Sequence, residues 1–344
     1  MVELQSQSTH ATPEQVLEAG LSVHFKRPVR IARMESRLLG QGEADYPVSR
    51  LRVTLTSGEQ VRVIFKRCAQ EVDPEGDLME APPSDYMREV LTYRHLLSNP
   101  TFDAPAVYAS VYDPTLEQYW LFIEDLGTST LEGGDLEDFL AATRYLGTMH
   151  GTYAGREEEL RRCGSLVEHG PAFYRALAAG ARRNLQQPGQ EPHLDRFDRL
   201  MQRFDSVIRE LLDQPRTLLH GDFSSHNIAV QSGRRIRPID WEWAAIGPVG
   251  WDLVRLYYEW QSNRSDFLGA YLEEFQRCSS VPLDPDGLER RFSLCEVVYR
   301  VWFLWAIPNR FPEPGFVDGL LREMQKTLSG LEAKPLTPSK HVTK

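Results

Sequence analysis

The stretch Leu218-Leu219-His220-Gly221-Asp222-Phe223-Ser224-Ser225-His226-Asn227-Ile228-Ala229-Val230 decides how the rest of the chain is read. It closes on a short apolar run, and a second segment, Arg237-Pro238-Ile239-Asp240-Trp241-Glu242-Trp243, follows closely. Both are strand-like, and each presents a polar cluster at one end. A buried strand does not hold a carboxylate cheaply, so Asp222 and Asp240 belong where the runs emerge, in a cleft. Asn227 stands five positions after Asp222, and Asp240 eighteen. An Asp, an amide and a second Asp beyond a hairpin suit phosphoryl transfer. One carboxylate orients an attacking hydroxyl, while the amide oxygen and the other carboxylate hold magnesium.

Composition sets the frame around this stretch. The 344 residues are enough for a sizeable core and one or two domains, and 41% hydrophobic content is that of a globular chain. A formal net charge of −10 argues against a nucleic-acid surface, which needs a basic footprint. No apolar run reaches the length of a membrane span, and Met1 to His10 lack the pattern of a signal peptide. Cys68, Cys163, Cys278 and Cys295 are widely spaced with no Cys-x-x-Cys, so a reduced, cytoplasmic protein without a cysteine metal site is expected.

Upstream, Thr12-Pro13-Glu14-Gln15 reads as a helix start with a near capping box. Strand-like runs follow at Val29 to Leu39, Ser49 to Thr56 and Gln60 to Arg67, with Gly40-Gln41-Gly42 and Ser57-Gly58 as turns. In Arg62-Val63-Ile64-Phe65-Lys66, Val63 and Phe65 face one way, Ile64 and Lys66 the other. Residues 68–83 are acidic, Pro-rich and aperiodic, a loop signature. Tyr86, Val90, Tyr93 and Leu97 then mark a helix over 84–97. Glu89 shares their buried face and needs a cationic partner, for which Lys66 is the natural choice. Glu80 competes for Lys66, and Glu89 has Arg88 or Arg94 as solvent alternatives. Strands at Asp103 to Tyr112 and Glu117 to Ile123 lead into Glu124-Asp125-Leu126-Gly127. Beyond it the spacing is helical: Leu136 to His150, Phe173 to Arg183, Leu194 to Leu212, Gly250 to Trp260, Phe267 to Cys278, Pro285 to Trp305 and Phe316 to Leu331.

The pattern His-Gly-Asp-x-x-x-x-Asn, then Ile-Asp-Trp-Glu, resembles the aminoglycoside phosphotransferase and choline kinase-like branch of the protein-kinase-like fold. Protein kinases carry His-Arg-Asp, and Phe-Gly after the metal-binding Asp. Here the positions are Gly221 and Trp241-Glu242, which favours a small-molecule kinase. A protein kinase also predicts an activation segment with an Ala-Pro-Glu anchor, yet Gly247-Pro248-Val249-Gly250 follows Asp240 within ten residues.

The resemblance implies an α+β, two-lobe fold: a small β-rich N-lobe with one key helix and a larger, mainly helical C-lobe. The expected divisions are a tail and short helix at 1–25, an N-lobe at 26–127, a C-lobe at 128–332 and a disordered tail at 333–344. It implies ATP or GTP as co-substrate, Mg²⁺, and a small hydroxylated acceptor. Lys66 becomes the phosphate lysine, positioned by Glu89, with Gly40 and Gly42 in a sparse phosphate lid. Ile123, Glu124, Asp125 and Leu126 resemble the hinge that takes the base through backbone groups. Asp222 is the catalytic base, and Asn227 and Asp240 the metal ligands. His220 is scaffold, and Asp252 braces the loop through backbone hydrogen bonds. Acceptor-wall candidates are His226, Glu242, Trp251, Tyr257, Tyr258, Glu259 and Trp260. His226 is open between substrate contact and solvent, and the spacing of Tyr257 and Trp260 favours a core stripe. A kinase-fold scaffold with weak or no catalysis is the competing expectation.

Overall fold

A computed structural model of the chain describes residues 11–39, 48–68, 85–113, 118–186, 191–260, 263–306 and 315–333. Gly40 and Gly42, the acidic stretch after Cys68, and the polar ends before Ala11 and after Ala333 lie outside the described residues.

The first helix, α1 (Pro13–His24), starts where Thr12 and Gln15 cap each other's backbone amides. β1 (Ile31–Leu39), β2 (Val48–Leu55) and β3 (Gln60–Cys68) follow as antiparallel neighbours. Next comes α2 (Asp85–Leu91), which passes into a π-helix over Thr92–Leu96. Helical spacing predicts an uninterrupted α-helix here. The wider turn is closed by Leu97 N on Thr92 O at 3.0 Å, and Tyr93, Leu96 and Leu97 are all buried. β4 (Val107–Asp113) and β5 (Gln118–Glu124) complete a five-stranded sheet ordered β1-β2-β3-β5-β4.

Alternation along β3 gives this sheet two different faces. Val61, Val63 and Phe65 join Leu17, Leu21, Val53 and Phe122 in a core under α1. Ile64 packs on the opposite side, against the cluster that contains Val90, Tyr93 and the helical lobe. Lys66 has the same parity as Ile64, so it faces that lobe.

The second lobe runs α3 (Leu136–Tyr153), α4 (Glu157–Arg161), β6 (Val167–Glu168), α5 (Pro171–Leu185), α6 (Glu191–Met201) and α7 (Phe204–Leu212). It continues with β7 (Arg216–Leu219), β8 (Ile228–Gln231), β9 (Arg235–Pro238), β10 (Ala245–Pro248), α8 (Gly250–Trp260), α9 (Arg264–Cys278), α10 (Pro285–Ala306) and α11 (Phe316–Ala333). The periodic run over 194–212 is two helices rather than one. It breaks at Gln202-Arg203 because α6 packs on α5 and α11 while α7 also meets α10. α3 and α9 cross closely at Gly147, where a Cβ would lie 2.5 Å from Tyr271 O. β8 and β9 form a hairpin, and β7 pairs with β10 in a three-stranded sheet. Among the described residues, no helix is long and apolar enough to cross a membrane.

Candidate active site

β7 delivers the 220–227 loop, and the β8–β9 hairpin returns the chain to Asp240, which meets Lys66 of the small lobe. Asn227 closes the loop on Asp222, its Nδ2 donating to Asp222 Oδ2 at 3.0 Å and to Asp222 O at 3.2 Å, and its carbonyl accepts Ile239 N at 2.9 Å, which ties in the segment before Asp240. His220 Nε2 donates to Ile239 O at 2.9 Å, so the start of the loop is fastened to the residue before Asp240. Burial pushes the His220 imidazole below its usual pKa despite the pull of Asp252 and Asp222, which keeps it neutral. Gly221 adopts φ 87°, and a Cβ there would sit 2.0 Å from Trp243 O. Only glycine permits this backbone-to-backbone approach.

α8 holds the loop from below. Asp252, fully buried, accepts from His220 N at 2.7 Å and Gly221 N at 3.0 Å. His150 Nε2 lies 3.3 Å from the same carboxylate, and its Nδ1 lies 2.9 Å from the Tyr271 hydroxyl. His150 is thus a hydrogen-bonded core residue. Further along α8, Arg255 Nε donates to Asp222 Oδ1 at 3.0 Å.

From the facing lobe, Lys66 Nζ lies 2.9 Å from both oxygens of Glu89 and 2.8 Å from Asp240 Oδ1. Glu89 is therefore a partner of Lys66, shared with Asp240; Glu80 lies outside the described residues. Burial disfavours the Lys66 ammonium, but Asp240 and Glu89 outweigh it and hold its pKa well above the usual value. Burial also disfavours the Asp240 carboxylate, and the adjacent Lys66 reverses the sign, leaving Asp240 below its usual value. Asp240 itself sits at φ 69°, a left-handed conformation that costs a non-glycine residue about 1–2 kcal/mol.

The hinge-like stretch is pinned through its side chains. Glu124 receives Arg237 Nη1 and Nη2 at 2.9 and 2.8 Å. Asp125 pairs with Arg50 and accepts Gly127 N at 3.0 Å. Ile123 is a paired residue of β5, and Leu126 lies between Asp125, whose N donates to Arg62 O, and Gly127.

The acceptor-wall candidates separate. Trp251 is buried behind the loop and donates Nε1 to Gly221 O at 3.1 Å, so it supports the loop from the far side. Tyr257 packs edge-on against Phe267 and Phe292 within the helical core, away from Asp222. Glu242 offers its carbonyl oxygen to Arg88 Nη1 at 2.6 Å. Arg88 is buried and also bonds Ser165 O, so it crosses the lobes instead of meeting solvent. His226 is exposed, with Nε2 3.1 Å from Ser224 Oγ. Tyr258 stacks on Tyr299, and Trp260 lies against Phe139. Arg255 went unread because a helix arginine looks like a solvated one. The signal was present: 252, 255 and 259 share one helix face.

The donor set fits a hard divalent cation. With Asn227 Nδ2 turned to Asp222 and Asp240 Oδ1 to Lys66, the Asn227 amide oxygen and Asp240 Oδ2 have no protein partner among the described residues. Among those residues no cluster of three or more His, Cys, Asp or Glu forms a cation cage. One carboxylate plus one amide oxygen is the protein share expected for magnesium that completes its shell with phosphates and water.

A small antiparallel sheet lobe whose Lys66 pairs with Asp240 of a larger helical lobe is a protein-kinase-like α+β architecture. A family model, the phosphotransferase enzyme family (APH), matches residues 48–289. The chain belongs to this family. Among solved structures, a microcompartment-associated aminopropanol kinase is similar with TM-score 0.56 and 12% identity, over 91% of this chain and 95% of that one. Choline kinase LicA from Streptococcus pneumoniae gives TM-score 0.52 and 14% identity over 93% and 99%. The GDP complex of wild-type aminoglycoside 2'-phosphotransferase-IIIa gives 0.52 and 15% over 93% and 99%. No curated protein matches in sequence.

Proposed function

We propose that the protein is a magnesium-dependent kinase that moves the terminal phosphoryl group of ATP or GTP to a hydroxyl of a small molecule. What supports this reading is the pairing of Lys66 with Asp240 across the lobes, together with the loop in which Asn227 holds Asp222. The nucleotide base lies along the backbone of 123–126, and Lys66 reaches its phosphates. Asp222 orients the acceptor hydroxyl and takes its proton late, because the transition state is loose and demands positioning more than deprotonation. Asn227 and Asp240 are the residues that would hold magnesium, which screens phosphate charge when bound. Asp252 keeps the loop in register by capping two of its amides. Structural neighbours that act on aminopropanol and choline, or are aminoglycoside phosphotransferases, direct the acceptor search to amino alcohols and amino sugars.

Calorimetric titration with ATP and with GTP, each with and without Mg²⁺, tests the first half. Binding that is strengthened by Mg²⁺ in the wild type, with that gain lost in Asp240→Ala, is expected. Nucleotide binding indifferent to Mg²⁺, or no binding, would refute the assignment in favour of a scaffold. A panel of amino alcohols, sugars and amino sugars, read by nucleotide consumption and product mass, tests the second half.

A further inference from the structure

α8 meets the loop with more than the brace at Asp252. Positions 252, 255 and 259 lie on one helical face, and each engages a different part of the loop. Arg255 Nε donates to Asp222 Oδ1 at 3.0 Å, and its Nη1 donates to Glu259 Oε1 at 2.6 Å. Glu259 Oε2 in turn accepts Ser225 N at 2.7 Å. The path Asp222–Arg255–Glu259–Ser225 therefore begins and ends in the loop. Side-chain exposures of 29% for Asp222, 16% for Arg255 and 21% for Glu259 put the three groups at the cleft wall and mostly out of bulk water. Charge-assisted hydrogen bonds in such a setting are stronger and more directional than surface pairs.

Asp222 is gripped from two sides. Arg255 takes Oδ1 and Asn227 takes Oδ2, so the plane of the carboxylate is fixed while each oxygen keeps a lone pair for an incoming hydroxyl. Burial opposes the Arg255 charge, but Tyr299, Asp222 and Glu259 more than compensate and raise its pKa.

We infer that Arg255 is a positioning residue for Asp222, acting with Glu259 as a clamp that sets the orientation of the acceptor-activating carboxylate and the path of the chain at Ser225. This inference rests on the phosphotransfer reading for its kinetic consequence, but the clamp itself has a readout independent of turnover. Lysine at 255 keeps the charge and reaches one carboxylate, whereas the planar guanidinium serves both.

Hydrogen exchange of the full chain by NMR, with the wild type, Arg255→Gln and Arg255→Lys, reads the clamp directly. In Arg255→Gln the Ser225 amide should exchange about tenfold faster, because Glu259 loses the partner that aims it. The His220 and Gly221 amides, held by Asp252, should not change. Unchanged exchange at Ser225, or loosening of all three amides together, would overturn the clamp. With any acceptor, water included, kcat in Arg255→Gln should fall about 10- to 100-fold while the nucleotide KM stays within about twofold. Arg255→Lys should recover part of kcat; kcat unchanged in Arg255→Gln would overturn the positioning role. If the wild type transfers phosphate to nothing, the proposed function fails, and the exchange data still decide whether Arg255 orders the loop.

Discussion

The two halves of the site are built by opposite means. On the sheet side, Lys66 is held by carboxylates 23 and 174 residues away, through side chains alone. On the loop side, Asp222 is held by its own loop and by one face of α8, which bonds backbone amides as well as side chains. The first half depends on the lobes staying together. The second is self-contained within one lobe and depends on local backbone geometry. Damage to the first should therefore show in nucleotide affinity and global stability, and damage to the second in turnover.

Asp222→Asn gives the sharpest test of that division. It should lower turnover about 100- to 10,000-fold while leaving Mg²⁺-nucleotide affinity within about twofold, measured by steady-state kinetics and calorimetry. Retained turnover would break the division at its strongest point. Lys66→Met should act on the other half. It leaves Glu89 and Asp240 facing each other without their cation, which should cost about 3 kcal/mol in chemical denaturation and weaken nucleotide binding together. Denaturation midpoints equal to wild type would mean that the interlobe ion cluster is not structural. Gly221→Ala sits on the loop side and combines a positive φ with the clash on Trp243 O. A loss of about 2–3 kcal/mol in stability is expected, and turnover should fall further than that loss alone explains. A fully active, equally stable alanine variant would remove the backbone-geometry half of the contrast.

The smallest effect concerns His169, which stacks on Phe173 at 4.0 Å and edge-on to Trp251 at 4.6 Å, behind the loop. Burial pushes its imidazole down to about 3 from an unfolded value of 6.5. Between those values the unfolded chain binds a proton that the folded chain does not, so stability falls as pH drops from 6.5 towards 3 and is fully present above 6.5. His169→Gln should flatten that slope in melting temperature against pH. An unchanged slope would assign the acid sensitivity to other groups.

What could be read from the sequence follows the same contrast. Lys66, Glu89, Asp222, Asn227 and Asp240 are polar groups set against apolar runs, and such conflicts are visible without coordinates. The strand pattern of the small lobe and the helix start at Thr12 were legible because alternation and capping are local. The π turn after Leu91 and the break at Gln202-Arg203 were not, because neither falls at a Gly or Pro that would mark it. Trp251 and Tyr257 show the limit for side-chain direction. Both stand in the stretch that could line an acceptor pocket, yet one slides under Gly221 and the other into the core. Arg255 shows the converse: its charge gives no sign of the contact with Asp222, and only its spacing from Asp252 places it on the face that meets the loop.

The guanidinium of Arg237 joins places that the chain keeps far apart. It grips Glu124 at the end of β5 and the carbonyl oxygens of Asp103 and Ala104, and it stands three residues before Asp240. The end of β5 and the hairpin that leads into Asp240 are thereby joined by a single guanidinium. One side chain thus acts as a rivet between the last strand of the small lobe and the segment that carries Asp240.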